Sequence, residues 1–150
     1  MAKQTILSSK ELEALWATHL KGEFETKDVE ATLATMVDDA SVNHMPVNTG
    51  GRGKIELRRF YRDDFIPSWP EDLQMKPINR VIGEGQLVDE IHQTFTHSRP
   101  MSWFLPNVTP TNRRIDFDVV VVVQFRGDKI ACERIYWDHA RVLRQAGLSL

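Results

Sequence analysis

Four titratable residues, His44, Asp89, His97 and Glu133, fall on strand faces that are otherwise apolar. An unperturbed histidine titrates near pKa 6.5, and a carboxylate beside it fixes one ring tautomer and stabilises the imidazolium. Such a set acts as base and then as acid at neutral pH, and positioned proton transfer is worth about 10²–10⁴ in rate. Glu133 shares its face with Ile135 and Trp137. A carboxylate buried there without a partner is costly and its pKa rises, so it requires either an ion pair, with an arginine such as Arg114, or a chemical role. His44 is either a satisfied core or rim histidine or a proton-transfer group. Asp89 is either solvated at a hairpin mouth or an assisting acid, and His97 either caps a strand end or joins the chemistry.

The elements that must position these residues follow from periodicity. Ser8 with Glu11 forms a capping box, and Leu12, Leu15, Trp16 and Leu20 predict a helix over residues 10–21. Thr26 and Asp28 start a short second helix with Val29, Leu33, Met36 and Val37 on its stripe. Residues 38–46 alternate, with Ala40, Val42 and His44 on one face of a strand. Glycines 50, 51 and 53 read as a loop, and Leu57, Phe60, Tyr61 and Phe65 mark a third helix that ends before two prolines. Residues 73–83 and 86–98 form strands joined at Glu84-Gly85; Asp89, Ile91, Gln93, Phe95 and His97 share a face of the second. Residues 99–114 hold three prolines and read as a long covering loop. Strand 115–125 then turns at Arg126-Gly127-Asp128 into a last strand, where Ala131, Glu133, Ile135 and Trp137 alternate with Ile130, Cys132, Arg134 and Tyr136. Helices gathered first and hairpin-joined strands last predict an α+β fold, one domain over residues 1–150, with helices covering one face of a mostly antiparallel sheet. With aromatic faces inward, Trp16, Phe60, Phe95, Val121, Ile135 and Trp137 wall a cavity, and Trp103 is either its lid or a dimer contact.

Composition narrows the partners. The 150 residues carry 19 Lys+Arg against 21 Asp+Glu, with no basic stripe to track a phosphate backbone, so nucleic acid is not expected. Single Cys132 forms no internal disulfide, and the cytoplasm is the default compartment. The longest apolar run, residues 119–123, is far below the roughly 20 that a membrane helix needs. His92 and His97 fall on opposite strand faces and make a poor metal pair, and Gly50-Gly51-Arg52-Gly53-Lys54 lacks the spacing of a phosphate loop, so no metal or cofactor is expected, with a metal held by His44, Asp89 and His97 as the minor alternative.

VDDASVNHMPV (37–47) followed by GGRGKIELRRFY (50–61), and the ending FRGDKIACERIYWD (125–138), resemble the SnoaL-like branch of the nuclear transport factor 2-like superfamily. FTH (95–97) and FLPNVTPTNRR (104–114) are similar to a microbial subset labelled carboxymethylenebutenolidase-like. The resemblance implies a cone: a curled, mostly antiparallel sheet with three N-terminal helices around an apolar pocket, in a homodimer formed through the outer sheet face. It also places His44 where ketosteroid-isomerase-like members carry their base, and His97 near a histidine of scytalone-dehydratase-like members. The oxyanion-donating acid of the former falls at Val121, and the final-strand aspartate of limonene-epoxide-hydrolase-like members falls at Ile135, so neither reaction is implied in that form. The expectation is a cofactor-free enzyme acting by general acid/base chemistry, as an isomerase, cyclase, dehydratase or lactone hydrolase, on a small apolar oxygenated molecule. A hydrophobic-ligand receptor and a dimeric scaffold are the alternatives, because this fold serves all three.

Overall fold

A computed structural model describes residues 6–150. Helix α1, Ser9–Phe24, opens on the expected capping box: Ser8 Oγ accepts from the Glu11 amide at 3.2 Å and Glu11 accepts from the Ser8 amide at 2.8 Å. It runs past the predicted end, straight through Gly22. That glycine serves packing, since a Cβ there would lie 2.5 Å from Thr32 Oγ1 of α2, Val29–Ala34. Strand β1, Met36–His44, begins earlier than predicted and takes Met36 and Val37 from the expected helix.

The loop expected at Gly50, Gly51 and Gly53 is instead largely a strand: the four residues Thr49–Arg52 form β2 antiparallel to β1, with His44 opposite Thr49. Only glycine fits at 50, where a Cβ would stand 2.0 Å from the Val42 carbonyl oxygen. Helix α3, Gly53–Arg59, then widens into a π-helical segment, Phe60–Phe65, closed by an Ile66 amide donating to the Tyr61 carbonyl. The i→i+5 winding brings Phe65 against both Phe60 and Tyr61, with ring centroids 5.6 and 5.9 Å apart. A 3-10 turn, Ile66–Ser68, ends the helical run.

Strands β3 (Gln74–Gly83), β4 (Gln86–Thr96), β5 (Arg114–Arg126) and β6 (Lys129–Trp137) complete a six-stranded sheet in the order β2-β1-β6-β5-β4-β3. Every pairing is antiparallel except β1 with β6, which sets Val42 beside Glu133 and His44 beside Ile135. The sheet is curled and unclosed: the α+β fold that the element order predicted, in the cone form that the resemblance implied. A register shift between β5 and β6 pairs Phe125 with Ile130 after Gln124 with Cys132. This bulge at Ala131 turns Ile130 inward to zero exposure, where plain alternation puts it outside. Glu133 keeps its predicted inward phase because it lies beyond the bulge.

The core fills the concave side, and the loop after β4 closes it by burying Met101, Trp103, Phe104 and Leu105. A final helix, α4, His139–Gln145, was not expected; its signal is Asp138, whose side chain accepts from the Arg141 amide at 3.0 Å as an N-cap. Among the described residues, no helix is long and apolar enough to cross a membrane.

Candidate active site

The concave face encloses a cavity of about 60 Å³. That is well above the roughly 10–15 Å³ minimum for holding a single water, so the hollow has room for a small molecule. Of the residues assigned to a site from sequence, His44, Glu133, Trp16, Phe60, Trp103, Val121, Ile135 and Trp137 line it. Asp89, His97 and Phe95 are buried but do not.

The expected convergence of His44, Asp89, His97 and Glu133 is therefore corrected. Asp89 is an anchor: Arg80 grips it with two bonds at 2.9 and 3.2 Å, and Trp16 Nε1 donates to it at 3.0 Å, tying α1 to β3 and β4. His97 holds the covering loop, with Nδ1 accepting from the Thr111 amide at 3.2 Å. Phe95 packs behind the cavity wall against Trp69, Phe104 and Phe117. Trp103 is a wall of the cavity, 4% exposed. Its indole donates to Ser68 Oγ at 2.8 Å and its carbonyl accepts from Thr49 Oγ1 at 2.6 Å.

His44 sits at the end of β1 within an aromatic box, 4.7 Å from Trp103 and 5.6–6.0 Å from Phe60, Phe65 and Trp137 by ring centroid. Its Nδ1 meets the Thr49 carbonyl oxygen at 3.1 Å. A carbonyl only accepts, so Nδ1 carries the hydrogen and Nε2 keeps a lone pair. Burial pushes the imidazole down to about 4, against smaller upward pulls from that carbonyl and from Glu133. His44 is thus neutral at pH 7.

The charged group of the cavity is elsewhere, and sequence reasoning missed most of it. Glu133 has no arginine partner among the described residues; its Oε2 lies 3.2 Å from His19 Nε2 and accepts from Tyr61 Oη at 3.4 Å. His19 Nε2 is paired also with Glu23 Oε1, one turn further along α1. The three side chains are nearly inaccessible to solvent. Glu23 and Glu133 line the cavity, while His19 sits behind them under Trp16, stacked at 5.4 Å and 13°. Thr35 Oγ1 gives its one proton to the Thr32 carbonyl at 2.6 Å, so at 2.8 Å from His19 Nδ1 it accepts. His19 therefore carries its Nδ1 hydrogen.

Burial alone would depress His19, but the two carboxylates outweigh it and lift the imidazole to about 10. Burial raises the Glu23 carboxyl, more than the opposing His19 charge lowers it. Burial, with the charges of Glu133 and Glu23, raises the Tyr61 phenol well above its ordinary value and keeps it a neutral donor. The result is two acids in an apolar hollow linked by one imidazolium. Glu133 Oε1 and Glu23 Oε2 have no hydrogen-bond partner among the described residues. The signal for the missed pair was present: His19 and Glu23 stand four apart on the stripe that carries Leu12 and Trp16.

Residues 15–146 match the sequence model of a family described as SnoaL-like polyketide cyclase. No functionally curated protein gives a sequence match. Among solved structures, a protein of Jannaschia sp. CCS1 named for its likeness to SnoaL-like polyketide cyclases superposes with TM-score 0.76 at 14% identity, covering 100% of both chains. TsrD of Streptomyces laurentii gives 0.73 at 16% identity, covering 95% of this chain and 99% of its own. A protein with a ketosteroid isomerase-like fold from Catenulispora acidiphila DSM 44928 gives 0.66 at 12% identity, covering 90% and 93%. At these identities the likeness is one of fold.

Proposed function

The chain belongs to the SnoaL-like polyketide cyclase family, and on that premise we propose that it is an enzyme moving protons on a small, apolar, oxygenated molecule bound in the cavity. The observation that carries this reading is the pair of cavity-lining acids, Glu23 and Glu133, bridged by His19 and by no lysine or arginine among the described residues. Glu133 is the base: Oε2 is held by His19 and Tyr61, and Oε1 is free to take a proton from a carbon or hydroxyl of the substrate. Glu23, whose carboxyl burial shifts upward toward the protonated form, is the matching acid. Paired acids whose surroundings differ divide the work in this way. His19 stays protonated and stabilises charge as it shifts between them. His44, a neutral acceptor, orients a substrate hydroxyl through Nε2 in place of acting as the base expected from sequence.

A substrate-independent test uses nitrobenzisoxazole, a small ring compound that opens to a cyanophenolate when a base removes its carbon-bound proton and the N–O bond breaks. Wild-type protein is expected to catalyse the opening, and Glu133→Gln to lower kcat/KM by about 10²–10⁴ with an unchanged circular dichroism spectrum. Equal rates in the two proteins would end the assignment. The aromatic lining also favours a second reading, a receptor for apolar ring compounds; saturable binding without turnover by the wild type selects it.

A further inference from the structure

We propose that His19 Nε2, one oxygen of Glu23 and one oxygen of Glu133 form a binding site for a divalent transition-metal ion of the zinc class, opening onto the cavity. The ligand atoms of the three residues lie within 4.8 Å of one another, and all three residues are buried. Their arrangement suits an ion better than a proton. His19 Nε2 lies within ion-pair distance of both carboxylates, yet makes an aligned hydrogen bond to neither. That nitrogen is fully buried and left without a hydrogen-bond partner between two acids.

The His19–Glu133 separation suits an ion, whereas Glu23 lies closer to His19 and swings outward to admit it. Zinc bonds nitrogen and carboxylate oxygen at about 2.0–2.2 Å, which separates neighbouring ligands of a tetrahedron by roughly 3.3–3.6 Å. Nε2 and Glu133 Oε2 are 3.2 Å apart. His19 and Glu23 project from one face of α1 at i,i+4, the spacing by which a helix offers two ligands to one ion. A metal-ligating histidine donates its other N–H to an oxygen that fixes ring and tautomer, and Thr35 Oγ1 does so at 2.8 Å. One imidazole with two carboxylates suits zinc, cobalt, manganese or iron(II) over all-oxygen magnesium or thiolate-seeking copper(I). Charge permits it: no lysine or arginine faces the two acids among the described residues, and a divalent ion that displaces the protons they share with His19 leaves the group neutral. Three protein ligands leave a fourth position, and the two glutamates that line the cavity aim it there.

Protons and the ion compete for the same atoms. The groups facing the site are His19 and Glu23 from α1, Glu133 from β6, Tyr61 from the π-helical segment and neutral His44 from β1. Binding must displace the Nε2 proton, so affinity rises with pH and protons are released. With the ion bound, Glu133 is a ligand and no longer a base, so zinc inhibits the proton chemistry; this consequence alone rests on the function proposed above.

The test is calorimetric titration of chelator-treated protein with zinc chloride, in two buffers of different ionisation enthalpy, followed by the visible spectrum of the cobalt(II) form. Expected are one ion per chain, release of at least one proton, and a four- or five-coordinate cobalt spectrum. Glu23→Gln and Glu133→Gln should each weaken binding more than 100-fold, and Thr35→Val, which touches no ligand position, about 10–100-fold. His19→Ala is informative if it folds, and Thr35→Val and Glu23→Gln decide the matter if it does not. Absence of a one-to-one site, or equal binding by wild type, Glu23→Gln and Thr35→Val, overturns the inference. Metal-free protein that opens nitrobenzisoxazole in a Glu133-dependent way upholds the acid/base reading whatever zinc does, so the two fail separately.

Discussion

His19 and His44 leave a common starting pKa of 6.5 in opposite directions, to about 10 and about 4. When unfolded, both titrate near 6.5, so folding stability depends on pH on both sides of that value. His19 binds its proton more tightly when folded, and its contribution is complete below 6.5 and lost as pH climbs toward 10. Glu23, also raised, contributes stability that is complete below its ordinary 4.5 and is lost as pH climbs from there. His44 resists its proton when folded, so its cost is absent above 6.5 and grows as pH falls toward 4. At ~1.4 kcal/mol per pKa unit, that cost reaches on the order of 3 kcal/mol. His44→Phe, which suits the surrounding ring box, should flatten the acid limb of stability between pH 6.5 and 4 in urea-unfolding series. An unchanged acid limb would mean that His44 titrates freely. His44 and Glu133 were legible in sequence because strand alternation exposes a polar residue on an apolar face. His19 and Glu23 were hidden because a helical stripe tolerates mixed residues, and only the packed sheet tells which of them lose water. Asp89 was read on the correct face, but its partner Arg80 lies across a hairpin, and no local pattern reveals that bond.

Elements carry the site by how closely they cross. In an open helix interior, Gly→Ala gains about 0.5–1 kcal/mol. Gly22→Ala should do the reverse, because the new methyl would meet Thr32 Oγ1 at 2.5 Å and the Thr32 amide nitrogen at 3.1 Å. Thr32 Oγ1 cannot turn away freely, being bonded to the Asp28 carbonyl at 2.9 Å. Overpacking of this kind costs about 1–3 kcal/mol, and it pushes α2, with Thr35 at its end, away from His19. Urea unfolding measures the outcome, and a gain in stability would show that the α1–α2 crossing has slack. Element type was legible wherever a cap or a long period marked it, as at Ser8–Glu11 and along β5. It failed where tertiary pairing decides: β2, half of it glycine, is made into a strand by the edge of β1, and the β6 bulge moves Ile130 inward without a sequence signal. The π-helical widening is equally silent, yet it sets Tyr61 against Glu133.

At the scale of the whole molecule, the cone gathers every tryptophan of the chain around one hollow. The chain has four, and Trp16, Trp69, Trp103 and Trp137 all line the cavity. They come from α1, from the end of the helical run, from the covering loop and from β6, so the cavity wall is assembled from segments that meet only when the sheet curls. Intrinsic fluorescence therefore reports occupancy of the cavity and little else. Cyclohexanone, a small apolar oxygenated ring, should change the emission along a saturating one-to-one curve. At 100 times its Kd, a ligand that binds only the folded chain adds ~2.7 kcal/mol. For a chain of this size that corresponds to a rise in Tm of roughly 5–10 °C. Val121→Arg, which places a charged chain on the cavity wall, should abolish both responses together, because they share one site. Linear, unsaturated quenching with no rise in Tm would instead mean collisions at the surface, and the hollow would then not be a binding site for this class of molecule.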